Sequence, residues 1–395
     1  MSASAASVTR GLARGQRFQW DPVLLAVVMA LLLVGLVMVT SASITIADSK
    51  QGDPFFYLER QLIFAFIGCV AGIVLATVRA DAWDRLGVVL LVVAIGILIA
   101  VLIPGIGAVV NGSRRWLRIG PLNFQASELA RVFVLVYLCS YAVRRRDELR
   151  DSLVGFIKPM MPLALAAGLL LIEPDFGAAS VLLVTGVGLL FIAGARLRYV
   201  LILCAIGAAL LGLVAVSSAY RVKRLLAFLD PWADPFASGF QLTQSLIAIG
   251  RGEWFGVGLG ASVQKLFYLP EAHTDFVFAV LAEELGLIGI VMVVGLFVLL
   301  VWRSFYIARI ARDAGLAFQS YLATAFGLWI GLQAFINIGV NMGLLPTKGL
   351  TLPLVSYGRS SLVVTLAWAG LMLRIYHESM MAGRTATTRG AESRA

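Results

Sequence analysis

The apolar run VLLAVVMALLLVGLVMV, residues 23–39, decides the fold class of this chain. It contains no charged residue, and a helix needs roughly 17–25 mostly apolar residues to cross a bilayer. Arg10, Arg14 and Arg17 precede the run, as basic residues do in a secretory signal peptide, but no convincing small-residue cleavage site follows it. We therefore expect a retained first transmembrane helix with a cytoplasmic N-terminus.

The rest of the chain has the same character. Sixty per cent of its residues are apolar and 14% are charged, whereas about a quarter are charged in an ordinary soluble domain. The sequence predicts an all-α polytopic membrane protein of about ten transmembrane helices in one domain. Apolar stretches that are long enough to span, or nearly so, fall at about 22–42, 56–78, 85–104, 126–143, 159–173, 176–194, 197–219, 274–302, 316–341 and 353–376.

Charge in the connecting loops predicts the topology. Basic clusters recur in alternate loops, which the positive-inside rule assigns to the cytoplasm, and an even number of spans puts both termini there. We expect a cytoplasmic tail over 1–20, a ten-span domain in the bacterial inner membrane over 21–377, and a disordered cytoplasmic tail over 378–395. The long loop before the eighth span, 220–273, is then periplasmic.

The net charge of +10 does not indicate nucleic-acid binding, because the basic residues are spread over short loops and form no single patch. Several basic residues nevertheless fall in loops assigned to the outside, which the positive-inside rule does not predict. Each alone is compatible with a solvated or headgroup-binding role. Together they suggest an anionic ligand.

Asp275 is the leading catalytic candidate. It lies in LPEAHTDF, residues 269–276, where the long loop meets the eighth span, and burial beside apolar rings would raise its pKa toward that of a general base. The alternative is that Thr274 or Asp275 simply caps the helix. His273 has no second ligand nearby, so a metal site based on this histidine is not expected. Glu283 and Glu284 are assigned structural roles.

Two other segments are unusual. The glycine series between Gly250 and Gly260 follows a helical pattern at 241–249 and matches no nucleotide-binding motif, so it indicates only tight backbone. Residues 343–358 are too rich in glycine and proline for a regular span. Irregular backbone at membrane depth lines a cavity or lies within protein, which suggests a pocket.

With these segments the chain resembles the SEDS family of membrane glycosyltransferases, over about 21–376. The resemblance is closest to the division branch of the family and less close to the elongation branch. One departure is Arg359, where the family usually has a second glycine. The matching motifs are LPEAHTDFVFAVLAEELG at 269–286, GLLPTKGLTLPLVSYG at 343–358, RWLRIGPLNFQASELAR at 115–131, EPDFG at 173–177 and GFQLTQSLIAIGRG at 239–252.

The resemblance implies polymerisation of lipid II into glycan strands at the division septum, with Asp275 as the essential base. It also implies a class B penicillin-binding transpeptidase of the FtsI type as partner, together with divisome proteins of the FtsQ, FtsL, FtsB and FtsN types. A divalent cation, Mg²⁺ or Mn²⁺, would assist the leaving diphosphate. The residues predicted to bind substrate are Arg114, Arg115, Arg118, Gln125, Glu128, Arg221, Lys223, Arg224, Gln241, Lys265, Glu271, His273, Lys348 and Ser356.

Two alternatives remain open on the sequence alone. A flippase for the lipid-linked precursor would also have many spans and a polar interior, although no inverted repeat with broken helices is visible. A non-catalytic divisome scaffold would tolerate Asp275→Asn, because asparagine also caps a helix.

Overall fold

The chain folds as a bundle of apolar helices, as a computed structural model shows. The structure describes residues 18–110, 113–119, 122–216, 228, 230–237, 239–347 and 349–392. Within these ranges there are twelve α-helices: α1 Pro22–Gln51, α2 Phe56–Thr77, α3 Ala80–Leu102, α4 Ala126–Arg144, α5 Arg146–Asp151, α6 Leu153–Ile172, α7 Phe176–Ile192, α8 Leu197–Val216, α9 Phe240–Gly252, α10 Val277–Asp313, α11 Ala317–Asn341 and α12 Arg359–Glu392.

Each of the ten predicted spans coincides with one of these helices, and the predicted polytopic fold is confirmed. Seven helices in the described part of the chain are long and apolar enough to cross a membrane. The helices α7 and α8 are apolar but shorter in their described residues, and α12 packs along α2. The two remaining helices, α5 and α9, lie in connections between spans.

Several predicted boundaries were wrong. The fifth span begins at Leu153, where Ser152 accepts a hydrogen bond from Gly155 N–H, so Pro159 and Pro162 lie inside the helix instead of opening it. Membrane helices tolerate such prolines because neighbouring groups satisfy the freed carbonyls. The last helix continues to Glu392, through the region that was expected to be a disordered tail.

A three-stranded antiparallel sheet in the connection between α3 and α4 departs from the purely helical prediction. Its strands are β1 Gly107–Val110, β2 Ser113–Ile119 and β3 Leu122–Gln125, in the order β1-β2-β3. The central strand carries Arg114, Arg115 and Arg118, which the sequence indicated only as a basic loop. Because β3 leads directly into α4, the sheet is anchored to the bundle.

The helix α10 is interrupted at Gly286, whose φ of 63° and ψ of −159° are not helical. The glycine-rich segment after α9 enters this break and supplies the missing backbone partners. Val257 N–H donates to Glu283 O at 2.9 Å, and Leu287 N–H donates to Glu253 O at 2.9 Å. A Cβ at Gly286 or Gly256 would overlap the opposing backbone, which explains the glycines that the sequence left unassigned.

Side chains of the same loop reach the two buried glutamates of α10, which confirms their structural role. Glu283 accepts from Ser262 Oγ at 2.5 Å and pairs with Arg251 at 3.0 Å. Glu284 pairs with Lys265 at 2.9 Å and also accepts from Ser41 of α1. Since a buried carboxylate without partners is costly, these bonds hold the loop and α1 to α10.

A second buried ion pair lies inside α4. Arg131 is fully buried, pairs with Glu128 at 3.2 Å and donates to Gln333 Oε1 at 2.6 Å. Its guanidinium also lies 5.3 Å from the centre of the Trp329 ring. The spacing of three residues places both side chains on one helical face, so Glu128, which the sequence assigns to substrate binding, pairs within its own helix.

We predict that Gly370→Ala destabilises the bundle while Gly96→Ala does not. A Cβ at 370 would overlap the Gly72 carbonyl where α12 crosses α2, whereas nothing lies within 4 Å of a Cβ at 96. Forcing the two backbones apart should lower the free energy of unfolding by about 2 kcal/mol. Thermal unfolding of both purified variants measures this, and an equal midpoint for the two would contradict the close crossing.

Candidate active site

A polar cavity of about 660 Å³ lies at the end of the bundle where α10 begins. We call it the Asp275 pocket. Four parts of the chain form it: the end of α1 with the start of α2, the sheet, the segment before α10, and the irregular segment before α12. Its polar lining includes Lys50, Tyr57, Ser113, Arg115, Gln125, Glu271, His273, Thr274, Asp275, Thr351, Tyr357, Arg359, Ser360 and Ser361. The prediction that 343–358 contributes to a pocket is therefore confirmed.

Two amides of α11 fix the backbone of Asp275. Asn337 Nδ2 and Asn341 Nδ2 donate to the Asp275 carbonyl at 2.9 Å and 3.1 Å. The carboxylate itself accepts no hydrogen bond from any residue that the structure describes. A Cβ placed on Gly349 would lie 3.2 Å from Asp275 Oδ2, so glycine leaves the carboxylate room on that side.

The alternative that Thr274 or Asp275 caps α10 was wrong. The residue before the helix is Phe276, and the amide of Ala279 in the first turn donates instead to Asn341 Oδ1 at 3.1 Å. Thr274 Oγ1 donates to Glu271 Oε2 at 2.7 Å. The carboxylate of Asp275 is therefore available to the pocket.

The surroundings of Asp275 raise its pKa to about 7. Removal from water is the largest cause, and the nearby negative charge of Glu271 adds to it. The positive charge of Arg115 acts in the opposite direction. A carboxyl group with such a pKa exchanges protons near neutral pH, as a general base must.

Aromatic rings close one side of the pocket. Tyr57 lies 4.6 Å from the His273 ring and 5.1 Å from the Tyr357 ring, measured between centroids. Burial lowers the pKa of His273, so its imidazole is neutral at pH 7. In the described residues, no group of three His, Cys, Asp or Glu side chains is arranged to hold a metal ion.

Three cations face the pocket. Arg115 is held by neutral acceptors, since its Nε donates to Glu173 O at 3.0 Å and its Nη2 to Pro174 O at 2.8 Å. Lys50 and Arg359 form no ion pair with any described residue. Arg359 lies 5.9 Å from the ring centres of Phe64 and Trp116. The positive charge of all three remains available to an anionic ligand.

The structure brings only part of the predicted site together. Arg115, Gln125, Glu271, His273 and Asp275 line the pocket. Arg221, Lys223, Arg224 and Lys348 lie outside the described residues.

The other predicted binding residues that the structure describes do not line the pocket, and structural partners occupy four of them. Arg114 donates to Leu102 O, Glu128 pairs with Arg131, and Lys265 pairs with Glu284. The hydroxyl of Ser356 accepts from Leu352 N–H in the turn before α12. Arg118 lies on β2, where its residue pairs with Asn123 of β3, and Gln241 is exposed on α9; neither lines the pocket.

Sequence reasoning missed Lys50, Tyr57 and Trp116. Lys50 belongs to the pocket because α1 continues nine residues beyond the predicted span, to Gln51. The lack of a helix breaker between Thr40 and Gln51 was the available indication. Tyr57 and Trp116 come close only through tertiary packing.

Glu173 of the EPDFG motif lies beneath Arg115. Both its carboxylate oxygens are buried without a hydrogen-bond partner, and burial, reinforced by the charge of Asp175, raises its pKa to about 8. Asp175 instead accepts from Ala178 N–H, Gln125 Nε2 and Ser127 Oγ. This aspartate links the start of α7 to the start of α4.

We predict that the Glu173→Gln variant is more stable than wild type at high pH. The folded state holds a proton on Glu173 that the unfolded state releases, so wild-type stability falls as the pH rises from about 4.5 to about 8. Glutamine removes this slope, with a gain on the order of 2 kcal/mol above about pH 8. Unfolding midpoints measured across pH test this, and parallel curves for the two proteins would contradict it.

The control for that experiment is Ser152→Ala. It removes the cap of α6 at the end of that helix remote from Glu173, so it should destabilise at every pH, by about 1 kcal/mol.

Two bacterial proteins are similar to this chain in sequence over most of its length. The probable peptidoglycan glycosyltransferase FtsW of Thioalkalivibrio sulfidiphilus is 56% identical over 356 residues, 90% of this chain and 89% of the relative. The protein with the same description from Nitrosococcus halophilus is 55% identical over 367 residues, 93% of this chain and 95% of the relative.

Two solved structures have a similar fold over most of this chain. A chain from work described as "Structural coordination of polymerization and crosslinking by a peptidoglycan synthase complex" superposes with a TM-score of 0.76 at 31% identity, covering 92% of this chain and 99% of that one. The crystal structure of the Thermus thermophilus rod shape determining protein RodA gives 0.67 at 28% identity, covering 93% of this chain and 98% of that one. Higher identity to FtsW than to RodA confirms the expected division branch.

The family model for FtsW, RodA and SpoVE, described as "Cell cycle protein", matches residues 22–381. The match covers the helical bundle from the first residue of α1 into α12, and therefore every segment of the Asp275 pocket. This chain belongs to the FtsW/RodA/SpoVE family, the SEDS proteins of the bacterial inner membrane.

Proposed function

We propose that this chain is a peptidoglycan glycosyltransferase that polymerises lipid II into glycan strands for the division septum, with Asp275 as its general base. One observation carries the proposal. The Asp275 carboxylate, with its pKa raised to about 7, faces a polar pocket that also contains three cations.

The chemistry follows from this arrangement. The Asp275 carboxylate takes the proton from a sugar hydroxyl of the acceptor, and the freed oxygen attacks the anomeric carbon of the donor. A new C–O bond forms while the bond from that carbon to the diphosphate breaks, and the electron pair leaves with the undecaprenyl diphosphate. Asp275 ends the step protonated and returns its proton to water.

Lys50, Arg115 and Arg359 are suited to stabilise the diphosphate as its negative charge develops. Arg115 is already oriented by two backbone carbonyls, so it needs little rearrangement when the ligand arrives. The predicted Mg²⁺ or Mn²⁺ stays a prediction. The described residues do not form a ligand set for a resident metal ion, and the step above uses only the side chains of this chain.

An apolar groove of about 840 Å³ beside the pocket is suited to the polyprenyl chain. It lies between α1, the start of α2 and residues 259–266, and Val37, Ile44 and Leu266 line it. Ile44 of the groove and Ile46 of the pocket are two residues apart on α1. Residues two apart on a helix point to different sides, so the groove and the pocket lie at the same level on different faces of α1.

We further propose that a class B penicillin-binding transpeptidase of the FtsI type is the partner. The solved neighbour that coordinates polymerization and crosslinking within a peptidoglycan synthase complex supports a partner of this kind. Divisome proteins of the FtsQ, FtsL, FtsB and FtsN types, a septal location and cytoplasmic termini belong to the same proposal. The basic loops at the end of the bundle opposite Asp275 support that orientation.

We predict that Asp275→Asn abolishes glycan polymerisation from lipid II, lowering the rate at least about 100-fold. The amide cannot take the proton, yet the backbone carbonyl still accepts from Asn337 and Asn341, so the fold is kept. The measurement is strand formation by the reconstituted chain with its transpeptidase, at matched complex formation.

The matched control is Asp53→Asn, which removes a carboxylate at the same end of the bundle but outside the pocket. Equal polymerisation by wild type and Asp275→Asn would exclude Asp275 as the base. Lipid II crossing vesicles without polymerisation by any variant would favour the flippase alternative. Normal divisome assembly and no polymerisation by wild type would favour the scaffold.

A second prediction concerns pH. The polymerisation rate should rise as the pH increases through about 7, because only ionised Asp275 is a base. Glu271→Gln removes a negative charge that raises the Asp275 pKa. In this variant the rise of the polymerisation rate with pH should therefore occur at lower pH than in wild type. Initial rates from about pH 5.5 to about pH 8.5 test this, and an unshifted rise would contradict the proposed coupling.

A further inference from the structure

A second cavity lies at the end of the bundle opposite Asp275. It has a volume of about 310 Å³ and is lined by Arg146, Arg150, Arg309, Arg312, Tyr321 and Thr324, among others. We call it the basic cavity. Arg146 and Arg150 come from α5, whereas Arg309 and Arg312 come from the last turns of α10. Both α4 and α10 start near the Asp275 pocket and end near this cavity, so the two sites are separated by the thickness of the bundle.

The arginines of the basic cavity have few partners. In the described part of the chain, Arg146 and Arg150 form no ion pair. Arg309 and Arg312 share one exposed carboxylate, Asp313, at 3.9 Å and 3.7 Å, and such exposed pairs contribute little.

Most other arginines near this end of the bundle are paired with carboxylates, whereas Arg85 and Arg198 form no ion pair in the described part of the chain. The six paired arginines contact carboxylates at 2.8–3.5 Å: Arg79, Arg144, Arg145, Arg196, Arg303 and Arg374. Four poorly neutralised guanidinium groups around one cavity leave a positive potential that favours an anion. The hydroxyls of Tyr321 and Thr324 line the same cavity and add polar groups.

An apolar groove lies next to the cavity. It has a volume of about 300 Å³ between α7, α10 and α11, and Val184, Val301, Leu328 and Phe335 line it. Phe305 lines both the groove and the basic cavity, so the two are adjacent. On α11, Gly327 and Gly331 keep the floor of the groove open.

We propose that the basic cavity and its groove bind an anionic phospholipid of the cytoplasmic leaflet, with its phosphate among the four arginines and an acyl chain in the groove. The cavity matches a phosphodiester headgroup in charge, and the groove matches a hydrocarbon chain in polarity. Basic pockets between helices on the cytoplasmic side are established binding places for such headgroups. The positive-inside rule assigns this end of the bundle to the cytoplasm.

The test is lipid binding measured by native mass spectrometry on the full chain, titrated with phosphatidylglycerol and, separately, with phosphatidylcholine. We expect wild type to prefer phosphatidylglycerol. Arg146→Gln with Arg309→Gln should weaken phosphatidylglycerol binding at least about tenfold. The control, Arg85→Gln with Arg198→Gln, removes the same charge from the same end outside the cavity and should bind as wild type does.

A second pair of variants tests the groove. Gly331→Leu fills it beside Val301 and should weaken phosphatidylglycerol binding, whereas Gly295→Leu, where nothing lies within 4 Å of a Cβ, should not. Equal binding of the two lipids by wild type, or equal loss in the cavity and control variants, would overturn the proposal. Full displacement of the lipid by excess inorganic phosphate, with no effect of Gly331→Leu, would assign the cavity to a soluble phosphate instead. Binding of a polyglutamate peptide without any lipid preference would assign it to a protein partner.

Discussion

Two hydrogen bonds to one carbonyl oxygen organise the proposed active site. Asn337 and Asn341 lie one turn apart on α11 and both donate to the backbone carbonyl of Asp275. Asn341 Oδ1 also accepts from Ala279 N–H in the first turn of α10, as the side chain of a capping residue does. Because the amides of α11 satisfy the backbone, the carboxylate is free to face the pocket. The amides of α11 therefore fix the position of Asp275, and its own carboxylate remains available for the reaction.

The long loop before α10 is held in the same manner, by polar groups buried in the bundle. The break at Gly286 exposes backbone donors and acceptors, and residues 253–258 satisfy them. Glu283 and Glu284 then bind Ser262 and Lys265, which lie 13 and 10 residues before Asp275 in the chain. Buried ionic contacts of this kind restrict the loop to one arrangement, because an alternative would leave carboxylates unpaired in an apolar interior.

The helices could be predicted from the sequence, but the contacts between them could not. Apolar stretches predict spans because a bilayer demands them, and the carboxylate of Asp275 stands out for its place beside a span. Lys265 looked like a ligand-binding residue because its partner Glu284 lies 19 residues further along the chain and the two meet only in the fold. Glu128 can pair with Arg131, three residues on, but this spacing alone does not exclude a ligand at Glu128. Conversely, Lys50 and Arg359 gained a role only through packing, since charge alone does not distinguish a pocket cation from a solvated one.

The most direct test of this account is a titration of Asp275 itself. Infrared difference spectra of the protein in lipid, taken for wild type and for Asp275→Asn over a series of pH values, isolate the carbonyl stretch of the protonated carboxyl group. The account predicts a band present only in wild type that disappears with a midpoint near pH 7. Disappearance near the ordinary aspartate pKa of about 3.9 would contradict it, because the carboxylate would then be a weak base in a solvated site.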